Sequence, residues 1–150
     1  MSVNQELHDY VLFDLGGRRY ALPVEQVLEV VPLVGSTPAP AQRPGFRGLV
    51  NLRGVHVPVL DLAQALGGAP AELTLQHKLL IADGGARVAL VVDDVVGAVR
   101  MAPGAPDDRV DASQVRAIGL HDGQTVLVLA LAGILSVNRD SGAQSTSRVA

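Results

Sequence analysis

Apolar residues along this chain come in short runs, each closed by glycine, proline or small polar residues. Val11–Leu15 and Tyr20–Leu22 flank Gly16-Gly17, and Leu79–Ala82 and Val88–Val92 flank Gly84-Gly85. A Gly-Gly pair supplies the positive φ of a tight turn, so each block predicts a β-hairpin. The segments that follow, "PVEQVLEVV" (23–31) and "VDDVVGAV" (92–99), space their apolar residues as at Val24, Val27, Leu28 and Val31. That spacing predicts a brief helix in each, with Asp93-Asp94 capping the second. Connectors rich in Pro, Gly and small polar residues come next, at 32–46 and 100–115. A second hairpin then turns at Arg53-Gly54 or Asp122-Gly123, and a short helical end follows, "LAQALG" or "LAGILS".

The pattern occurs twice because the chain is internally duplicated. Residues 11–31 overlay 79–99 with a shift of 68 and nine identities in 21 positions. Residues 49–66 overlay 118–135 with a shift of 69 and seven identities in 18. Chance identity is about a tenth per position for a composition so rich in a few residue types, so the near-constant shift marks a true repeat. Many short strands with regular turns predict a mostly β fold of two small barrels with short helices, not a doubly wound sheet. Pro58 cannot donate to a ladder, which places it at an edge, a bulge or a barrel corner. The expected organisation is an N-terminal extension at 1–8 and a folded unit at 9–137. Its halves are 9–67 and 74–137, with an exchange of ends between the barrels left open. A disordered tail is expected at 138–150, which lacks apolar periodicity.

Composition narrows the function. With a net charge of −3 and 3% aromatic residues, the chain lacks the basic, aromatic-bearing face of a nucleic-acid binder. No cysteine is present, so disulfides, thiolate metal sites and a Cys nucleophile are excluded, and a reducing cytosol suits it. The first residues have neither a basic nor an apolar signal region. Runs such as "TVLVLALAGIL" are too short to insert in a membrane, which takes roughly 20 apolar residues.

A search for chemistry returns little. His8, His56, His77 and His121 form no ligand-spaced pair, so no metal and no cofactor are expected. His56 reads as a solvent-facing strand residue. Asp93-Asp94 and Asp107-Asp108 are neighbours whose side chains diverge, so neither is an acid/base dyad. There is no Gly-x-Ser-x-Gly elbow, phosphate loop or dinucleotide fingerprint. The chain reads as a non-enzyme. A small-ligand barrel remains as an alternative, which a deep pocket with converging polar groups would favour.

Several motifs together, "FDLGGRRYALPVEQVLEVV", "TPAP", "GFRGLVNLRGVHVPVLDLAQALG", "LVVDDVVGAV" and "GLHDGQTVLVLAL", resemble the CheW coupling proteins of bacterial chemotaxis. The likeness covers about residues 9–136 and centres on Gly48, Asn51, Leu52, Arg53 and Gly54 with Pro58-Val59 and Asp61-Leu62. It implies two five-stranded SH3-like barrels and a cytoplasmic, non-catalytic adaptor recruited to membrane receptor arrays. The implied partners are the regulatory domain of the histidine kinase CheA and the helical cytoplasmic tip of a chemoreceptor. Under this resemblance Val27, Val30, Arg53, Val95 and Val99 face the receptor, with Val31 and Val96 in the same stripes, and Glu29, Gly48 and Asn51 face the kinase. An adaptor of another chemosensory pathway, one controlling pili or surface motility, fits the same residues. The acidic loop between Pro103 and Ile118 departs from the family, so contacts made from it are expected to differ.

Overall fold

The computed structural model describes residues 6–33, 45–106, 108 and 110–136. The expected tail at 138–150, residues 1–5 of the extension and the "TPAP" motif lie outside them. Among the described residues the strands are β1 (His8–Leu15), β2 (Arg18–Pro23), β3 (Val27–Pro32), β4 (Phe46–Leu52) and β5 (Val55–Asp61), then β6 (Lys78–Asp83), β7 (Arg87–Val92), β8 (Asp94–Met101), β9 (Val115–His121) and β10 (Gln124–Leu129). Helix α1 (Leu62–Ala65) follows β5, and 131–136 is helical after β10.

The strands form two five-stranded sheets, β8-β1-β2-β10-β9 and β3-β6-β7-β5-β4. Each takes a hairpin from one half of the chain and three strands from the other. The first hairpin, β1–β2, lies between β8 and β10, and the hairpin β6–β7 lies between β3 and β5. Parallel pairs β2/β10 and β5/β7 join the contributions from the two halves. Neither half therefore completes a sheet alone. A bridge between Gly104 and Ile118 brings the chain beyond β8 against β9 and closes the first sheet into a barrel.

Strand alternation sorts the apolar residues into three cores. Val11, Phe13 and Leu15 of β1 meet Leu80 and Ala82 of β6 and Val88, Leu90 and Val92 of β7 between the sheets. The alternate residues point into the barrels. Tyr10, Leu12, Ala21, Val126 and Val128 fill one, and Val57, Val59, Leu79, Ile81, Ala89 and Val91 fill the other. Central strands are buried on both faces, which is why "RVALVV" and "KLLIAD" read as near-continuous apolar runs.

The brief helices expected at 23–31 and 92–99 are strands instead. Only Val24–Gln26 makes a single 3-10 turn, and β3 and β8 run beyond it and its counterpart. Asp94 begins β8, so Asp93-Asp94 is no helix cap; Asp93 Oδ2 instead accepts the Gly16 N–H at 2.9 Å. Ladders to β6 and β1 override a spacing too short to nucleate a helix, and β-branched valines fit a strand. Each strand carries a bulge that imitates helical spacing. The register skips Leu28 in β3 and Val96 in β8, residues related by the same shift of 68. Pro58 sits in β5 opposite Leu49, and the ladder to β7 begins one residue later at Val59, so the strand is still an edge at the proline.

Candidate partner-binding surface

The bulges decide where the valines of β3 and β8 point. Before each bulge, Val27 and Val95 pack on the core between the sheets. Beyond it the strand has changed face, and Val31 and Val99 pack on the core of their own barrels. The bulge residues Leu28 and Val96 face solvent, 46% and 44% exposed, and Val30 is 41% exposed. Of the valines in the expected receptor-facing stripes, Val30 and Val96 are outward side chains; Val27, Val31, Val95 and Val99 are half-buried. Sequence reasoning assigned no role to Leu28 and missed Val55, 48% exposed. The usable signal for Leu28 was its alignment with Val96 at the bulge position of the repeat.

The hairpin tips have matching backbones. Arg53 has φ 51 and Gly54 φ 87; Asp122 has φ 53 and Gly123 φ 73. Two successive positive φ values make the type I′ turn that follows the twist of a hairpin. Asn51 Oδ1 accepts the Gly54 N–H at 2.8 Å, so its side chain fastens the turn. The Arg53 guanidinium forms a two-pronged ion pair with Glu29 of β3, through Nη2 to Oε2 and Nη1 to Oε1. The hydrogen bond to Glu29, reinforced by its charge, raises Arg53 above the usual guanidinium value. Leu28, Leu52, Val55, Ile81 and Arg87 surround this pair in an open depression of about 440 Å³. The structure thus joins Arg53 and Glu29, which sequence reasoning had given to different partners, and sets Asn51 in the same hairpin tip. Gly48 is not beside them. It is buried in β4 with φ 147, next to the bulge residue Arg47, where a side chain is strained.

A second cluster went unnoticed in the sequence. Asp61 is fully buried at the N-terminus of α1. Its Oδ2 accepts from Arg47 Nη1 at 2.7 Å and from the Ala71 N–H at 2.7 Å, and its Oδ1 accepts from the Gln64 N–H at 3.2 Å. Arg47 also donates to the Ala71 carbonyl at 3.1 Å. Every charge in the cluster is met, and the cluster pins the segment joining the two halves. Among the described residues no three His, Asp or Glu side chains gather as a metal site, and no helix is long and apolar enough to cross a membrane.

The surface thus sets the exposed apolar side chains Leu28, Val30 and Val55 beside one charged pair in an open depression, an arrangement suited to protein docking. Comparison with known proteins bears on the family and the fold. Residues 9–139 match the family model described as the CheW-like domain. A probable chemotaxis protein CheW of Rhizobium etli is 30% identical over 95 residues, covering 63% of this chain and 61% of that protein. Protein FrzA of Myxococcus xanthus is 34% identical over 95 residues, covering 63% and 59%, and protein PilI of Pseudomonas aeruginosa is 31% identical over 86, covering 57% and 48%. The alignments span about three fifths or less of the curated relatives. The crystal structure of the scaffolding protein TtCheW from Thermoanaerobacter tengcongensis superposes with a TM-score of 0.77 at 27% identity, covering 89% of this chain and 95% of that one. With its two exchanged barrels, duplicated bulges and Asn-Leu-Arg-Gly turn, the chain belongs to the CheW-like domain family.

Proposed function

We propose that this chain is a non-catalytic adaptor that holds a chemoreceptor tip and the histidine kinase CheA in one cytoplasmic assembly beneath the membrane. The observation that carries this reading is the exposed apolar set at β3 and its neighbouring hairpin tip, Leu28, Val30 and Val55, beside the Arg53–Glu29 pair. An amphipathic helix can lay its apolar stripe on such a surface while its polar flank meets the ion pair. Val30 is the receptor-facing anchor in this proposal, with the edges of Val27 and Val95 beside it; Val99 turns to the core of its own barrel and adds at most a margin. Glu29 and Asn51 provide the polar contacts to the kinase, and Arg53 lies where both meet. Co-purification of the chain with the regulatory domain of its candidate CheA and with a receptor-tip fragment tests the reading. Retention of neither would defeat it.

Two substitutions at β3 and β8 separate surface from core. Val30→Asp is expected to weaken receptor-tip binding about tenfold or more, with the melting temperature nearly unchanged. Val95→Asp is expected to lower the melting temperature itself, because it sends a charge toward the core between the sheets. Equal melting temperatures for the two variants would contradict this division.

Arg53 offers a cleaner separation. Arg53→Ala keeps a side chain at positive φ and removes an exposed ion pair that solvent screens, so stability should barely change. Arg53→Gly removes the same guanidinium but relieves roughly 1 kcal/mol of left-handed strain. Both should lose partner binding to the same extent, measured by calorimetry, while their melting temperatures differ. Unequal binding losses would make Arg53 a turn residue and not a partner handle.

A second reading draws support from the relatives. The identities to FrzA (34%) and PilI (31%) lie in the same range as the 30% to the Rhizobium etli CheW. The chain as an adaptor of a chemosensory pathway for pili or surface motility therefore stands beside the flagellar one. Which CheA-type kinase retains it on a column distinguishes them.

A further inference from the structure

The segment that joins the two halves ends in a tight turn whose key acceptor is an imidazole nitrogen. His77 Nδ1 accepts the Thr74 N–H at 3.1 Å and lies 3.2 Å from Thr74 Oγ1. The His77 N–H returns to the Thr74 carbonyl at 3.1 Å, and Thr74 Oγ1 accepts the Gln76 N–H at 3.2 Å. A backbone N–H cannot change direction, so Nδ1 must carry a lone pair here. The proton of the neutral ring is then on Nε2, which points to Asp93 Oδ1 at 3.4 Å. Asp93 in turn takes the Gly16 N–H of the β1–β2 turn, and the His77 carbonyl accepts the Leu33 N–H just past β3 at 3.3 Å. One residue thereby ties the inter-half segment to a turn of the first sheet and to an edge of the second.

We propose that His77 is a proton-operated clasp: the 74–77 turn is closed while its imidazole is neutral and opens when it is protonated. A protonated ring has two N–H groups and no acceptor, so it and the Thr74 N–H cannot share the same position. The opposing pulls come from Thr74 Oγ1, which is 3.2 Å from Nδ1 but already accepts the Gln76 N–H, and from the carboxylate of Asp93, at the corner between β7 and β8. That carboxylate is 46% exposed and already engaged by Gly16, and the contact is long, so its attraction for the charged ring is screened. Lys78 on β6 is committed to Asp94 at 3.7 Å, and the contact from just beyond β3 is the Leu33 backbone N–H. Opening the turn frees the Leu33 anchor, which loosens the end of the strand that carries Val30. The clasp itself does not depend on what binds there.

Amide hydrogen exchange and ¹⁵N spectra of the full chain, followed from about pH 8 to about pH 5, test this clasp. At the alkaline end His77 Nδ1 should give the shift of an unprotonated ring nitrogen. As the ring protonates, protection of the Thr74 amide, corrected for its intrinsic rate, should fall about tenfold or more, and that of Leu33 should fall with it. His77→Asn supplies a carboxamide oxygen that accepts from the Thr74 N–H and does not titrate. Its protection should stay within about twofold over the same range. Full protection of Thr74 after the ring has protonated overturns the proposal. So does a His77→Asn variant that opens with acid as the natural chain does.

Discussion

Replacing Asp61 with alanine is expected to cost about 3–5 kcal/mol, which lowers the melting temperature by roughly 10 °C in a chain of this size. The carboxylate is wholly buried and accepts three hydrogen bonds, from Arg47, Gln64 and Ala71. Removing it strands the Arg47 guanidinium beside an emptied site and leaves two backbone N–H groups without their acceptor. The helix cap of α1 goes at the same time. Asp61→Asn keeps an acceptor for Gln64 and should fall between the two. Arg47→Met should also be severe, since it leaves a buried carboxylate with two backbone N–H groups but no counter-charge. The double variant should lose clearly less than the sum, because the two changes remove one interaction. Chemical denaturation of the natural chain, Asp61→Ala, Arg47→Met and the double variant measures this, and additive losses would mean the pair is not coupled.

Gly133→Ala is the second large effect, and its direction runs against helix propensity. In the helical segment 131–136, alanine for glycine would ordinarily gain about 1 kcal/mol. A Cβ at Gly133, however, would lie 2.2 Å from the Ser113 carbonyl oxygen. That oxygen cannot easily retreat. Asp111 holds the turn through the Ser113 N–H at 2.9 Å and the Ser113 hydroxyl at 2.6 Å, contacts that also keep the Asp111 carboxyl below its usual range. Gln114 next to it accepts the Ala130 N–H at 2.7 Å and donates to the Ala65 carbonyl at 3.2 Å. Overpacking against a pinned backbone costs about 1–3 kcal/mol or more, so a net fall of several degrees is expected. Ala132→Gly, at an exposed position of the same helix, should lose about 1 kcal/mol through propensity alone. A Gly133→Ala protein as stable as the natural one would show that the Ser113 turn yields.

Much of the fold was legible because its signals are local or periodic. Glycine pairs mark the hairpins, the repeat announces two equivalent units, and alternation separates strand faces. The helices expected at 23–31 and 92–99 failed for a definite reason. A bulge inserts one residue into a period of two, and over one turn the result looks like a helical period. Only the partner strand reveals which is present, since register is a property of the pair. The site suffered from the same error. With Val27, Val30 and Val31 read as a helical stripe, all face one way; on a bulged strand Val30 points outward while Val27 and Val31 serve two different cores.

What the sequence determined by itself is the duplicated β architecture, the turns, the lack of obvious catalytic or metal motifs, and the resemblance to an adaptor family. These rest on residue type and spacing, which act over a few neighbours. Tertiary structure alone decided which residues meet. It set Arg53 on Glu29, 24 positions earlier, and exchanged hairpins between the sheets so that neither half stands alone. It also gave the two Gly-Gly pairs different tasks. Gly16 and Gly17 both take positive φ for their turn, whereas Gly84 is glycine because a Cβ there would lie 2.7 Å from Leu131. A turn preference is written in one residue's backbone, but a close approach exists only after two distant segments have packed.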